Sequence, residues 1–238
     1  MKRLLSFVLI AVFLFTPPAN AAPKKISVKA MQLVTTVGTP DEVSGVVTSG
    51  KTLIVYGSKA SKAYARGVDT TGKELWSLSL DQAPASIATT AAVDPVGDIW
   101  IAGATPLALG LVEPSPTATP VNPDNAVVPP TTLVGNLQAV TIWKITAAGV
   151  ITFTKTLPTS SVLFPTSISV DRNGASVVGI IGSEKGSAGF LVNTDKDGVF
   201  GKLLQIGSLA TTADSVVRHI DGSFTVVGSS SETLSGKK

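Results

Sequence analysis

The chain has 238 residues, with 19 Lys and Arg against 16 Asp and Glu, one His and no Cys. The absence of Cys excludes disulfide staples, thiolate metal sites and thiol nucleophiles, so the fold must rest on its core and its ladder hydrogen bonds. Two of the basic residues, Lys2 and Arg3, sit at the extreme N-terminus, and without them 17 basic residues face 16 acidic ones. That balance argues against nucleic acid as a partner.

The N-terminus reads as a secretory signal. Lys2 and Arg3 form a positive n-region, and residues 4–15 are an apolar run interrupted only by Ser6. Pro17 and Pro18 end it, and Ala19-Asn20-Ala21 places small residues where a signal peptidase accepts them. Cleavage is expected after Ala21, leaving a mature chain of residues 22–238. The apolar run is short of the roughly 20 residues that span a bilayer, and no second stretch of its length follows. The expected location is therefore secreted or extracytoplasmic (periplasm or cell surface), with no membrane span after cleavage.

Val, Ile and Thr alternate with polar residues through the rest of the chain, and 22 Gly and 15 Pro punctuate it. This is a strand-and-turn composition. The first predicted strand covers residues 26–34. A polar turn, an alternating apolar run and a closing Gly then recur at residues 48–57, 94–103, 171–179 and 219–228, the closing glycines falling 46, 76 and 49 residues apart. A second pattern falls between these copies: Gly67-Val-Asp-Thr-Thr-Gly-Lys-Glu-Leu-Trp76, then residues 144–153, then 192–201. Its internal glycines, Gly72, Gly149 and Gly198, are 77 and 49 apart. In each Asp-x-x-Gly the Asp accepts backbone N–H bonds and the Gly takes positive φ, so each is a hairpin turn.

Two hairpins in about 47 residues are the content of one four-stranded propeller blade. The fold class is therefore all-β, with propeller-type repeats of four-stranded antiparallel blades and about four units, the last incomplete. A β-sandwich is also built of hairpins and is the alternative, although it has no reason to repeat in phase. The strands at residues 99–102 and 177–178 should pack between blades, with Trp76 and Phe153 capping the space between sheets. The long spacing between Gly103 and Gly179 holds a Pro/Thr-rich insertion at about residues 106–138. Six prolines within residues 113–132 exclude a ladder there.

The segment Gly67-Val-Asp-Thr-Thr-Gly-Lys-Glu-Leu-Trp76 resembles the repeat of bacterial PQQ-like, quinoprotein-type β-propellers. The resemblance implies that Trp76 docks one blade on the next. It does not bring the dehydrogenase site of that family, which implies eight blades, an acidic base, a calcium site and often a vicinal disulfide. About four units without Cys depart from all of that, and no cofactor is expected.

No residue in the chain presents itself as catalytic, cofactor-binding or metal-ligating. His219, the one His, lacks a nucleophile context and reads as a turn residue. Asp195-Lys-Asp197-Gly198 resembles a calcium loop but has Leu204 where the late Glu ligand is needed. Asp69, Asp94, Asp171 and Asp221 are turn formers lying in separate units. Trp76, Trp100 and Trp143 sit in strand patterns and read as packing residues between blades rather than as a sugar platform.

The repeat phase puts residues 26–34 in a fourth-strand slot, while the last unit supplies two strands and then lacks its third. Truncation of a longer propeller is the expected reason, with direct pairing of the N-terminal strand or a strand from a partner as the other two. The functional expectation is a non-catalytic binding or scaffold module for a protein or glycan. The alternative is a piece of a propeller enzyme, quinoprotein-like oxidoreductase or hydrolase, whose active residues lie elsewhere.

Overall fold

A computed structural model describes residues 42–80, 86–107 and 137–234. The signal segment, the strand expected at residues 26–34 and the body of the Pro/Thr-rich insertion lie outside these. The described residues form 14 strands and no helix, hence no helix long and apolar enough to cross a membrane. The first sheet is β1 (Glu42–Ser49), β2 (Thr52–Lys59), β3 (Lys62–Val68) and β4 (Glu74–Ser79). The second is β5 (Ile87–Val93), β6 (Ile99–Pro106), β7 (Leu137–Ile145) and β8 (Ile151–Pro158). The third is β9 (Leu163–Asp171), β10 (Gly174–Ser183), β11 (Gly186–Asn193) and β12 (Leu204–Ile206). A two-stranded fourth sheet holds β13 (Ser215–Arg218) and β14 (Phe224–Val227). Every sheet is an antiparallel meander in chain order. Among the described residues these are three four-stranded blades and a two-stranded fourth, as the paired glycine patterns predict.

Among the described residues the substantial packing between sheets runs only between successive ones, each sheet resting on the first strand of the next. A series of this kind, with the middle sheets covered on both faces, is the arrangement of stacked repeats. It explains why β6 reads Ile-Trp-Ile-Ala-Gly-Ala without alternation: both of its faces are buried. In β4 and β8, at the outer edges, exposed and half-buried residues alternate instead.

Three apolar cores fill the three gaps. Ile54, Tyr56, Ile99, Ile101 and Trp143 lie between the first and second sheets. Trp100, Ala102, Ile168, Val177 and Phe190 lie between the second and third. Val178, Leu191, Ala213 and Val216 join the third and fourth. Each fully buried aromatic or branched aliphatic side chain contributes about 1.5–3 kcal/mol, so Trp100 and Trp143, both at or below 1% exposure, anchor the stack. Residues 99–102 and 177–178 thus pack between blades as expected. The insertion joins β6 to β7, whose ladder runs out to Pro106 opposite Leu137.

The closing glycines have one shared reason. A Cβ at Gly57, Gly103, Gly179 or Gly228 would lie 1.9, 2.1, 2.2 or 2.0 Å from a carbonyl oxygen of the segment leading along the neighbouring first strand. In the first three sheets that strand is bulged beside the glycine.

Candidate functional site

The hairpin turns of the sheets are built by short-range chemistry. In Asp69, Asp94 and Asp195 the amide of the Asp donates to the carbonyl four residues on, and the Gly amide donates back to the Asp carbonyl. Each Asp Oδ1 then accepts two further backbone N–H bonds at 2.8–3.0 Å. Two turns depart from the expected chemistry. At residues 146–150 the Thr146 hydroxyl accepts from the Val150 amide, and at residues 219–223 the turn opens on His219 while Asp221 caps Ser223.

Trp76 and Phe153 both bridge from one sheet to the next turn. The Trp76 indole N–H donates to the Ala147 carbonyl at 3.1 Å, and its ring lies on Gly149. Phe153 lies on Gly198, so that the second and third sheets are docked in the same way. Trp76 thereby docks the first sheet on the second. In the third sheet the equivalent position is Lys202, which is exposed.

Between the second and third sheets these turns enclose a cleft of about 530 Å³. Asp94, Pro95 and Val96 enter from the β5–β6 turn, Trp100 and Lys144 from the sheet, Asp171 and Arg172 from the β9–β10 turn, and Lys196 and Asp197 from the β11–β12 turn. Sequence spacing alone did not bring Asp94 and Asp171 together; the stacking of their sheets does.

Asp94 is the hub of the cleft. Its Oδ2 accepts from the Trp100 indole at 3.1 Å and pairs with the Lys144 ammonium at 3.3 Å. Burial pushes this carboxyl up, but the indole, the Asp98 and Val96 amides and Lys144 outweigh burial and hold it below the usual carboxylate range. Lys144 also pairs with Asp98 at 3.1 Å and stands 5.1 Å from the Trp100 ring centroid. Phe153 meets Trp100 edge-on at 5.2 Å. On the other side of the cleft, Asp171 is bound by Arg218 of the fourth sheet at 2.9 Å and by the Asn173 amide.

Chemically, Asp94 and Asp171 are anions committed to the scaffold. The exposed groups of the cleft are Pro95, Val96, Arg172 and the Lys196–Asp197 pair. Asp195 spends Oδ1 on its own turn, and no group of three or more His, Asp or Glu that could hold a metal ion occurs among the described residues. His219 is exposed, with its Nε2 bonded to the Thr225 hydroxyl at 2.8 Å. Trp143 is buried between sheets and makes no platform. A smaller, polar cleft of about 300 Å³ lies at the opposite strand ends, lined by Ser183, Glu184, Lys185 and Ser208 among others. No family model matches the chain, and no curated protein matches its sequence.

Proposed function

We propose that the chain is an exported, non-catalytic binding or scaffold module, a divergent relative of PQQ-like propeller repeat proteins, acting on a protein or glycan outside the cytoplasm. The observation that carries this reading is the state of Asp94. A general acid or base must exchange a proton with a substrate, whereas this carboxylate is bound by two amides, an indole and an ammonium. The cleft around it offers an exposed rim of Val96, Arg172 and the Lys196–Asp197 pair, suited to holding a ligand rather than transforming it. Export is supported by the three-part leader of residues 1–21.

The test is capture from an envelope extract with the chain beginning at Ala22. A discrete partner retained by the wild type and lost with Arg172→Ala/Lys196→Ala supports the reading. Equal retention by both rejects the cleft as the binding surface. Titration with the quinone PQQ, followed by absorbance, addresses catalysis: stoichiometric binding overturns the non-catalytic reading in favour of a piece of a propeller enzyme. N-terminal sequencing of the secreted form should read Ala22, and a form starting at Met1 refutes cleavage.

A further inference from the structure

The closing glycines define equivalent positions in all four sheets. Counted from them, Val46, Ala91, Ile168 and Val216 correspond, each sitting opposite the second residue before its glycine. Val43, Ala88, Pro165 and Ala213 correspond beside the glycine itself. In the later sheets these positions face inward onto the preceding sheet: Ala88 and Ala213 are 0% exposed, Ile168 7% and Val216 5%. In the first sheet the same positions are bare, Val43 being 50% and Val46 52% exposed.

The opposite faces show the mirror situation. Ile54 with Tyr56, Trp100 with Ala102, and Ser176 with Val178 are each buried beneath the following sheet. Their counterparts in the fourth sheet are Thr225 and Val227. Thr225 is exposed, Val227 is 60% exposed, and Val217 beside them is 51% exposed. The first and last of the described sheets therefore expose the two halves of an interface that the described sheets form three times. Stacked repeats need polar caps at their ends to stay apart, and these ends present valines.

We propose that copies of this chain associate head to tail, the first sheet of one copy covering the open face of the fourth sheet of the next. The contact continues the stacking between successive sheets, with Val43 and Val46 on one side and Val217, Thr225 and Val227 on the other. It is heterologous, so it extends into a string of copies or closes into a ring. It does not depend on what the cleft binds, and its test leaves the cleft untouched.

Sedimentation equilibrium of the chain from Ala22 should show an average mass that rises above the monomer with concentration. Val46→Asp blocks every head and Val227→Asp every tail, so each variant alone should remain monomeric. An equimolar mixture should form a dimer and nothing larger, because one intact head meets one intact tail. Both positions are more than half exposed, so the core is spared, and far-UV circular dichroism checks the fold; Val217→Asp is a second tail variant. A wild type that stays monomeric throughout overturns the proposal, as does association by either single variant or a mixture that stays monomeric.

Discussion

Gly72 and Gly149 occupy the same place in two successive blades, yet substituting them should have unequal consequences. Both have positive φ, +86° and +82°, so replacement by Ala carries a left-handed backbone cost of about 1–2 kcal/mol at either site, reduced by about 0.4–1 kcal/mol through the stiffer unfolded chain. At Gly72 nothing lies within 4 Å of the new Cβ, and the net loss should be about 1 kcal/mol. At Gly149 the Cβ would lie 2.5, 2.7 and 2.9 Å from three atoms of the Trp76 ring. The ring cannot retreat toward its own sheet, because it already lies on Gly67, where a Cβ would be 2.4 Å from it. It must swing away and give up its bond to Ala147, adding overpacking of about 1–3 kcal/mol. Urea unfolding followed by circular dichroism should therefore rank Gly149→Ala well below Gly72→Ala. In a Trp76→Ala background the cost of Gly149→Ala should fall to that of Gly72→Ala, a coupling of about 1–3 kcal/mol. Equal losses at the two glycines, or no coupling to Trp76, would refute the idea that the aromatic–glycine contact docks the blades.

Gly103→Ala sets a Cβ 2.1 Å from the Ile87 carbonyl oxygen and 2.9 Å from the Trp143 ring; a loss of about 3 kcal/mol or more is expected, and calorimetry should show Tm lower by about 6–12 °C for a chain of this length. Asp94→Asn removes one of the two carboxylate partners of Lys144 and should cost about 1–3 kcal/mol at neutral pH. Because the folded state depresses the pKa of Asp94, its stabilisation is present above the unfolded value near 3.9 and disappears as pH falls through the folded value. Acid titration of stability should thus narrow the gap between wild type and Asp94→Asn as pH falls below about 4 and close it only below the depressed folded value, and a gap that is constant with pH would count against the assignment.

What was legible in the sequence was whatever depends on neighbours along the chain. The turn residues announce themselves because Asp69, Asp94 and Asp195 bond amides two and four residues away. The phase of the closing glycines is visible because each answers the same local approach of a bulged strand. Trp76 was readable as a docking residue, but its receptor, Gly149, lies in the next blade and emerges only when the sheets are stacked. The convergence of Asp94 with Asp171, and of Asp171 with Arg218, belongs to the same class. His219 was legible as a turn residue, and the turn opens on it while Asp221 caps Ser223.

The three gaps between sheets are not equal, and the order in which they open follows. The first two are closed by wide apolar cores and by Trp76 and Phe153 lying on the next turn. At the third, Lys202 replaces the aromatic, and the buried core is reduced to Val178, Leu191, Ala213 and Val216. Polar bonds take over: the Thr166 hydroxyl donates to the Ala213 carbonyl at 2.6 Å, the Ser167 and Ser169 hydroxyls accept from the Val216 and Arg218 amides, and Arg218 pairs with Asp171. Net hydrogen bonds of this kind contribute about 0.5–1.5 kcal/mol each, less than the burial of a large apolar side chain. β13 and β14 are also four residues each, and no third strand pairs with them among the described residues. Local opening should therefore begin there, at a free energy well below that of the second sheet. Native-state hydrogen exchange in the Val46→Asp variant, where copies cannot cover one another, should find the amides of residues 215–227 the least protected of the strand amides and those of β6 and β7 the most. Equal protection across the four sheets would mean that the stack unfolds as one unit and that the aromatic contacts add nothing to the first two gaps.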